Sequence, residues 1–159
     1  MKKINFLTQA AMIAALYVVL TLAINAFGLA SGAIQVRVSE ALTILPYFTP
    51  AAIPGLFIGC LLSNTIIGCA LFDIIFGSIA TLLGAVGTYL LRRHKWLAPV
   101  SPIIANTIIV PFVLSYVYGT PGTIPYLMLT VGIGEVLSCG VLGMVLLFAL
   151  NKYRTTLFG

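Results

Sequence analysis

The sequence predicts an all-α integral membrane protein, and three observations carry that reading. Of 159 residues, 61% are hydrophobic and 7% are charged, whereas soluble domains carry about 25% charged residues. Mean hydropathy is +1.17. The apolar residues also fall into long runs, and a spanning helix needs about 20 of them. At that length 159 residues hold about six or seven spans with short loops. We therefore expect one compact transmembrane domain over residues 1–159, with no soluble catalytic or nucleotide-binding domain.

The net charge of +5 invites a nucleic-acid reading, but the positions argue against it. Lys2 and Lys3 precede the first apolar run. Arg92, Arg93 and Lys95 form one cluster, and Lys152 and Arg154 lie near the end. Basic clusters that flank spans are topology signals, retained on the cytoplasmic side. Cys60, Cys69 and Cys139 show neither CxxC nor His-paired spacing, so no disulfide framework and no metal site is expected. His94, set in RRHKW, reads as a headgroup-level residue.

Residues 8–27 form the first span. The lysines before it imitate a signal-peptide start, but the apolar run is too long and further spans follow, so it is read as retained. Ala10 with Ala14, and Ala11 with Ala15, have small-xxx-small spacing, which suits either packing inside the bundle or contact with a partner protein. Residues 28–38 hold Gly28, Ser31 and Gly32 and lack a helical pattern. Next comes SEALTILPYF, residues 39–48, with Ser39 as candidate N-cap, Glu40 in the first turn and Pro46 near the end. The third run, 50–67, carries Gly55 and Gly59. The fourth, 71–91, sets Asp73 above a stripe of Gly77, Ala80, Gly84 and Thr88. The fifth, 96–118, has three prolines and Asn106, and the sixth, 126–150, contains Glu135.

A parity argument sets the span count. The three basic clusters share one side, so even numbers of crossings separate them. Four crossings fit before Arg92 and two after Lys95, which makes six spans with both termini cytoplasmic and Arg37 as the exception. The second helix is then too short to cross: about ten residues give about 15 Å against a core of about 30 Å. Residues 32–38 must dip into the membrane, which irregular backbone tolerates only when buried in protein or lining a wet cavity.

In this topology Arg37, Glu40, Asn64, Asp73, Asn106 and Glu135 lie between the outer rim and the midplane. Ionisable residues at such depth are functional candidates by default. Structural alternatives stand beside that reading. Arg37 and Glu40 would pair with each other, Asp73 would cap its helix, and the asparagines would join helices. Glu135 has no cation near it in sequence, which makes it the strongest candidate. Tyr116, Tyr118 and Tyr126 read as an interfacial belt, with ligand stacking as the alternative. No HExxH, GxSxG or phosphate-loop motif occurs, so no enzyme and no cofactor is expected, and any ATP hydrolysis belongs to another protein.

Residues 34–64, IQVRVSEALTILPYFTPAAIPGLFIGCLLSN, resemble the QueT family of queuosine-precursor transporters. LFDIIFGSIATLLGA at 71–85 and GIGE ending at Glu135 are similar too. Members are substrate-binding S components of energy-coupling factor (ECF) transporters, a class of ABC importer. The resemblance implies a six-helix cell-membrane protein whose pocket near the outer face is gated by the loop after the first helix. It implies that the alanine pattern of the first helix, here Ala10, Ala11, Ala14 and Ala15, docks a transmembrane coupling protein driven by two cytoplasmic ATPases. It also implies a deazaguanine substrate. Glu135 would accept two N–H donors of such a base, Arg37 or an asparagine would serve its carbonyl, and Glu40 or Asp73 would meet an aminomethyl cation. Two competing readings remain. One is an S component for another vitamin or nucleobase. The other is a self-sufficient proton-coupled carrier, disfavoured because no internal repeat is visible.

Overall fold

The computed structural model of the chain describes residues 2–28 and 36–158. The dipping segment expected at 32–38 falls partly outside the described residues, and only its last three positions are described. Helix α1, Lys2–Ala26, is followed by a 3₁₀ helix, Val38–Tyr47. Helices α2 (Ala52–Ile67), α3 (Leu71–Leu90) and α4 (Val100–Tyr116) come next. Helix α5 (Ile124–Glu135) runs through a π-helical segment, Val136–Leu142, into α6 (Gly143–Asn151), and the short α7 (Arg154–Leu157) follows.

Local chemistry sets most boundaries. Gly28 at φ 73° and Gly68 at φ 84° end α1 and α2 in the left-handed region that favours glycine. The span expected to start at residue 96 starts at Val100, because 91–99 fold as turns, with Pro99 just before the helix and Pro102 in its first turn. Helices α1, α3 and the continuous rod Ile124–Asn151 are long and apolar enough to cross a bilayer, whereas α2 and α4, of 16 and 17 residues, are shorter. With their apolar exteriors, which include Leu71, Phe72, Leu83 and Leu129, these helices form a multi-pass membrane protein.

The second element departs from expectation. It is a 3₁₀ helix rather than a half-length α-helix, so ten residues extend about 20 Å instead of about 15 Å. Three residues per turn stack Glu40, Thr43 and Pro46 along one ridge, and Thr43 Oγ1 donates to the Glu40 carbonyl at 2.6 Å. The residue before the helix is Arg37, and no side chain caps it. Ser39 instead lies inside the first turn, where its Oγ accepts from Thr21 Oγ1 at 2.9 Å.

Helices α1 to α5 pack consecutively, and the 3₁₀ helix sits among α1, α2, α3, α6 and the π segment. Residues Ser39 to Pro46 are all buried. The core cluster joins Leu42 and Leu45 of this element to Ile13 and Tyr17 of α1, Ala52, Leu56 and Cys60 of α2, and Ala85 of α3.

The small residues set how closely the helices approach. A Cβ on Gly55 would lie 2.7 Å from the Ala10 carbonyl oxygen, and one on Gly59 would lie 2.8 Å from Tyr17 Cβ. The same construction on Gly84 meets Pro102 Cα at 2.8 Å, so the stripe on α3 seats α4. Gly59→Val is therefore expected to destabilise the protein by about 1–3 kcal/mol through overpacking. Ala11→Val on the exposed face of α1 is expected to leave the thermal midpoint of the detergent-purified protein unchanged. Equal midpoints for the two variants would contradict this packing.

Candidate ligand-binding site

The chain contains three acidic residues, Glu40, Asp73 and Glu135, and all three are at most 7% exposed. Each reaches its position from a different element. Glu40 lies in the first turn of the 3₁₀ helix, where Tyr17 of α1 donates to its Oε1 at 2.5 Å. Asn106, midway along α4, donates through Nδ2 to Glu135 Oε2 at 3.1 Å and reaches Glu40 Oε2 at 3.5 Å. One side-chain amide therefore spans two buried carboxylates.

Glu135 owes its position to close helix packing and to a change of winding. Gly132 faces Thr107, with a hypothetical Cβ at 3.5 Å, so α5 lies close against α4 one turn before Glu135. The π segment begins at the next residue, and such segments occur often at functional sites. It carries Cys139, whose Sγ donates to Glu135 Oε2 at 3.2 Å and lies 3.5 Å from the Glu40 carbonyl. Glu40, Glu135 and Cys139 bring ligand atoms of metal-binding type within 4.8 Å of one another. Each of the three already has hydrogen-bond partners within the protein.

The carboxylates differ in what they leave open. Both Glu40 oxygens have partners, Tyr17 and Asn106. Glu135 Oε2 is shared by Asn106 and Cys139, while Oε1 makes no hydrogen bond among the described residues. Glu135 lines a small chamber of about 10 Å³ with Arg37, Asn106, Val110 and Val131. Arg37 and Val110 also line a larger cavity of about 330 Å³, whose wall includes Thr21, Asn25, Asn64, Asp73, Tyr118 and Thr120. Two bigger grooves, of about 670 and 630 Å³, are walled almost entirely by apolar side chains. They suit lipid chains and offer no set of polar groups to orient a polar ligand.

Five of the six candidate residues therefore line the two cavities: Arg37, Asn64, Asp73, Asn106 and Glu135. Glu40 stands behind the chamber as a support. Arg37 and Glu40 make no direct ion pair among the described residues, and the two Glu40 oxygens accept from Tyr17 and Asn106. Nor does Asp73 cap its own helix, because α3 has no side-chain cap. Its Oδ2 accepts from Tyr118 at 2.7 Å, and that hydroxyl accepts the Ala70 N–H at 3.1 Å. Tyr118 thus lines the cavity, although about half of its surface is exposed. Tyr116 and Tyr126 are exposed.

The four alanines of α1 divide into two faces. Ala10 and Ala14 are buried beneath Gly55 and Gly59 of α2, while Ala11 and Ala15 are exposed. Sequence reasoning missed Tyr17 and Cys139. Tyr17 shares the helical stripe of Ala10, Ile13 and Ala14, and Cys139 falls four residues after Glu135. Both spacings were readable.

Comparison with known proteins follows the same lines. The QueT transporter family model matches residues 7–152. A queuosine precursor transporter, QueT, of Lactococcus lactis subsp. cremoris (strain MG1363) is 37% identical over 86 residues, which cover 54% of this chain and 50% of that protein. The aligned part thus spans half the length of that relative. No solved structure matches.

Tyr17→Phe removes the donor to Glu40 Oε1 and leaves a buried acceptor unmade, which costs about 1–3 kcal/mol. Glu135→Gln keeps an oxygen and the shape, and its Oε1 has no partner to lose, so a smaller loss is expected. Thermal unfolding of the purified variants measures both, and the ranking is what the network requires.

Proposed function

The chain belongs to the QueT transporter family, and from that premise we propose that it is the substrate-capturing S component of an ECF-type importer, binding a deazaguanine precursor of queuosine. The observation that carries the reading is the free oxygen of Glu135 beside Asn106 and Arg37, beneath a cavity of about 330 Å³. Small-molecule pockets begin at about that volume. A deazaguanine presents two N–H donors on one edge, with a carbonyl next to them. Glu135 accepts the donors, Arg37 or Asn106 donates to the carbonyl, and a buried charged group strengthens both contacts.

Asp73 is the acid that meets an aminomethyl cation on the ligand, since Glu40 is engaged on both oxygens. Asp73 keeps one oxygen outside its bond with Tyr118 and faces the larger cavity. Asn64 lines the same wall and offers its amide to the ligand.

The proposal includes six crossings with both termini cytoplasmic and the larger cavity opening outward. The placement of Arg92, Arg93, Lys95, Lys152 and Arg154 supports it, because basic loop residues are retained inside. The energy source lies in partners, a transmembrane coupling protein and two cytoplasmic ATPases. The exposed Ala11 and Ala15 form the docking face of α1, since small side chains let another helix approach closely in lipid. Ala10 and Ala14 are already covered by α2.

Calorimetry of the purified protein with 7-aminomethyl-7-deazaguanine tests the ligand. Glu135→Gln loses a charge-assisted hydrogen bond of about 1.5–3 kcal/mol, so affinity is expected to fall roughly ten- to hundredfold. Unchanged binding would overturn the assignment. Affinity purification from the native membrane tests the partners. ATPase subunits should accompany the protein, whereas ligand uptake by the protein alone in liposomes would show a self-sufficient carrier.

A further inference from the structure

Arg37 lines two cavities of very unequal size. The outer one, about 330 Å³, contains Asp73 and Asn64. The inner one, about 10 Å³, contains Glu135 and Asn106 and holds about one water. A fused bicyclic base is many times larger than a water. It fits the outer cavity and is shut out of the inner one, where the unengaged carboxylate oxygen lies.

Among the described residues, only Arg37 and Val110 belong to both walls. Val110 is a branched side chain within α4, and such a side chain is stiff in a helix. Arg37 precedes the 3₁₀ helix on extended backbone, at φ −101° and ψ 98°, and carries a long stem with many rotamers. Its charge has acids on both sides. Glu40 lies behind the chamber and Asp73 lies across the outer cavity, and both act on the guanidinium. The side chain therefore has an electrostatic partner in either position.

We propose that Arg37 is the movable partition between a vestibule and a recognition chamber, and that its guanidinium swings out of the shared wall to merge the two when a planar base enters. This deepens the deazaguanine reading and rests on it. Before the swing, the ligand occupies the vestibule among Asn64, Asp73 and Tyr118. After it, Glu135 exchanges its cationic neighbour for the N–H edge of the base. Binding then has two steps, encounter followed by rearrangement. The observed association rate of such a scheme rises with ligand concentration and levels off at the rate of the swing.

Stopped-flow association of 7-aminomethyl-7-deazaguanine with the purified full chain tests this. Wild type should show the plateau, and Arg37→Lys should retain it. In Arg37→Met, which keeps an unbranched stem without the charged fork, the plateau should rise by roughly tenfold or more. A wild-type rate that stays linear in concentration, or a plateau unchanged in Arg37→Met, overturns the partition. Should Arg37→Met fail to fold, Val110→Ala widens the same opening from α4 and should also raise the plateau; no change there overturns the proposal equally.

If wild type binds no deazaguanine, the ligand reading fails, and the partition is still read without ligand. Cys139, 1% exposed, donates to Glu135 Oε2, and Glu135 lines the chamber. The reaction of Cys139 with methyl methanethiosulfonate, located by mass spectrometry, should be faster in Arg37→Met than in wild type. Equal rates reject the partition.

Discussion

A single buried carboxylate organises this structure. Glu40 lies at the centre of a bundle with an apolar exterior, 2% exposed, where an unpaired charge is expensive. Tyr17 and Asn106 satisfy its oxygens, Thr43 and Cys139 meet its carbonyl, and Asn106 carries the network on to Glu135. Through these contacts one residue joins α1, the 3₁₀ helix, α4, α5 and the π segment. Removing any one partner leaves a buried polar group unmade, so the elements hold one another in register.

That network explains why irregular helices occur where they do. A 3₁₀ run of ten residues is long for its kind, yet here it is buried along Ser39 to Pro46 and surrounded by five elements. The π segment adjoins Glu135. Both departures from α-helical winding thus carry or adjoin the two linked glutamates, Glu40 and Glu135. The Glu40 carbonyl in the 3₁₀ helix is met by Thr43 and Cys139, whereas the buried Ser138 hydroxyl of the π segment makes no hydrogen bond among the described residues.

Helix α1 connects this interior to the exterior. Its inward face presents Tyr17 to Glu40 and packs Ala10 and Ala14 against Gly55 and Gly59. Its other face leaves Ala11 and Ala15 exposed. The polar residues grade along the cavity. Asp73, Asn64 and Tyr118 line the larger space, and Glu135 and Asn106 line the smaller one beside it, with Arg37 and Val110 in both walls.

The sequence by itself determined the class of protein and most of its site. Composition and apolar run length identify a multi-pass membrane protein, because the bilayer imposes length and polarity on every spanning segment. Charged and amide side chains are so rare in such a chain that those at membrane depth could be named in advance, and Arg37, Asn64, Asp73, Asn106 and Glu135 line two adjoining cavities. Tertiary structure decided which groups remain open. Periodicity places a residue on a helix face but does not tell which neighbour takes its hydrogen bonds. Only packing shows that each Glu40 oxygen has a partner, Tyr17 or Asn106, while Glu135 keeps a free oxygen. The same holds for the alanines of α1. Two ladders with identical spacing differ because Gly55 and Gly59 cover one and leave the other bare. Winding, too, was beyond the sequence. The choice of 3₁₀ over α for Val38–Tyr47 depends on five surrounding elements, and no local propensity in ten residues encodes them.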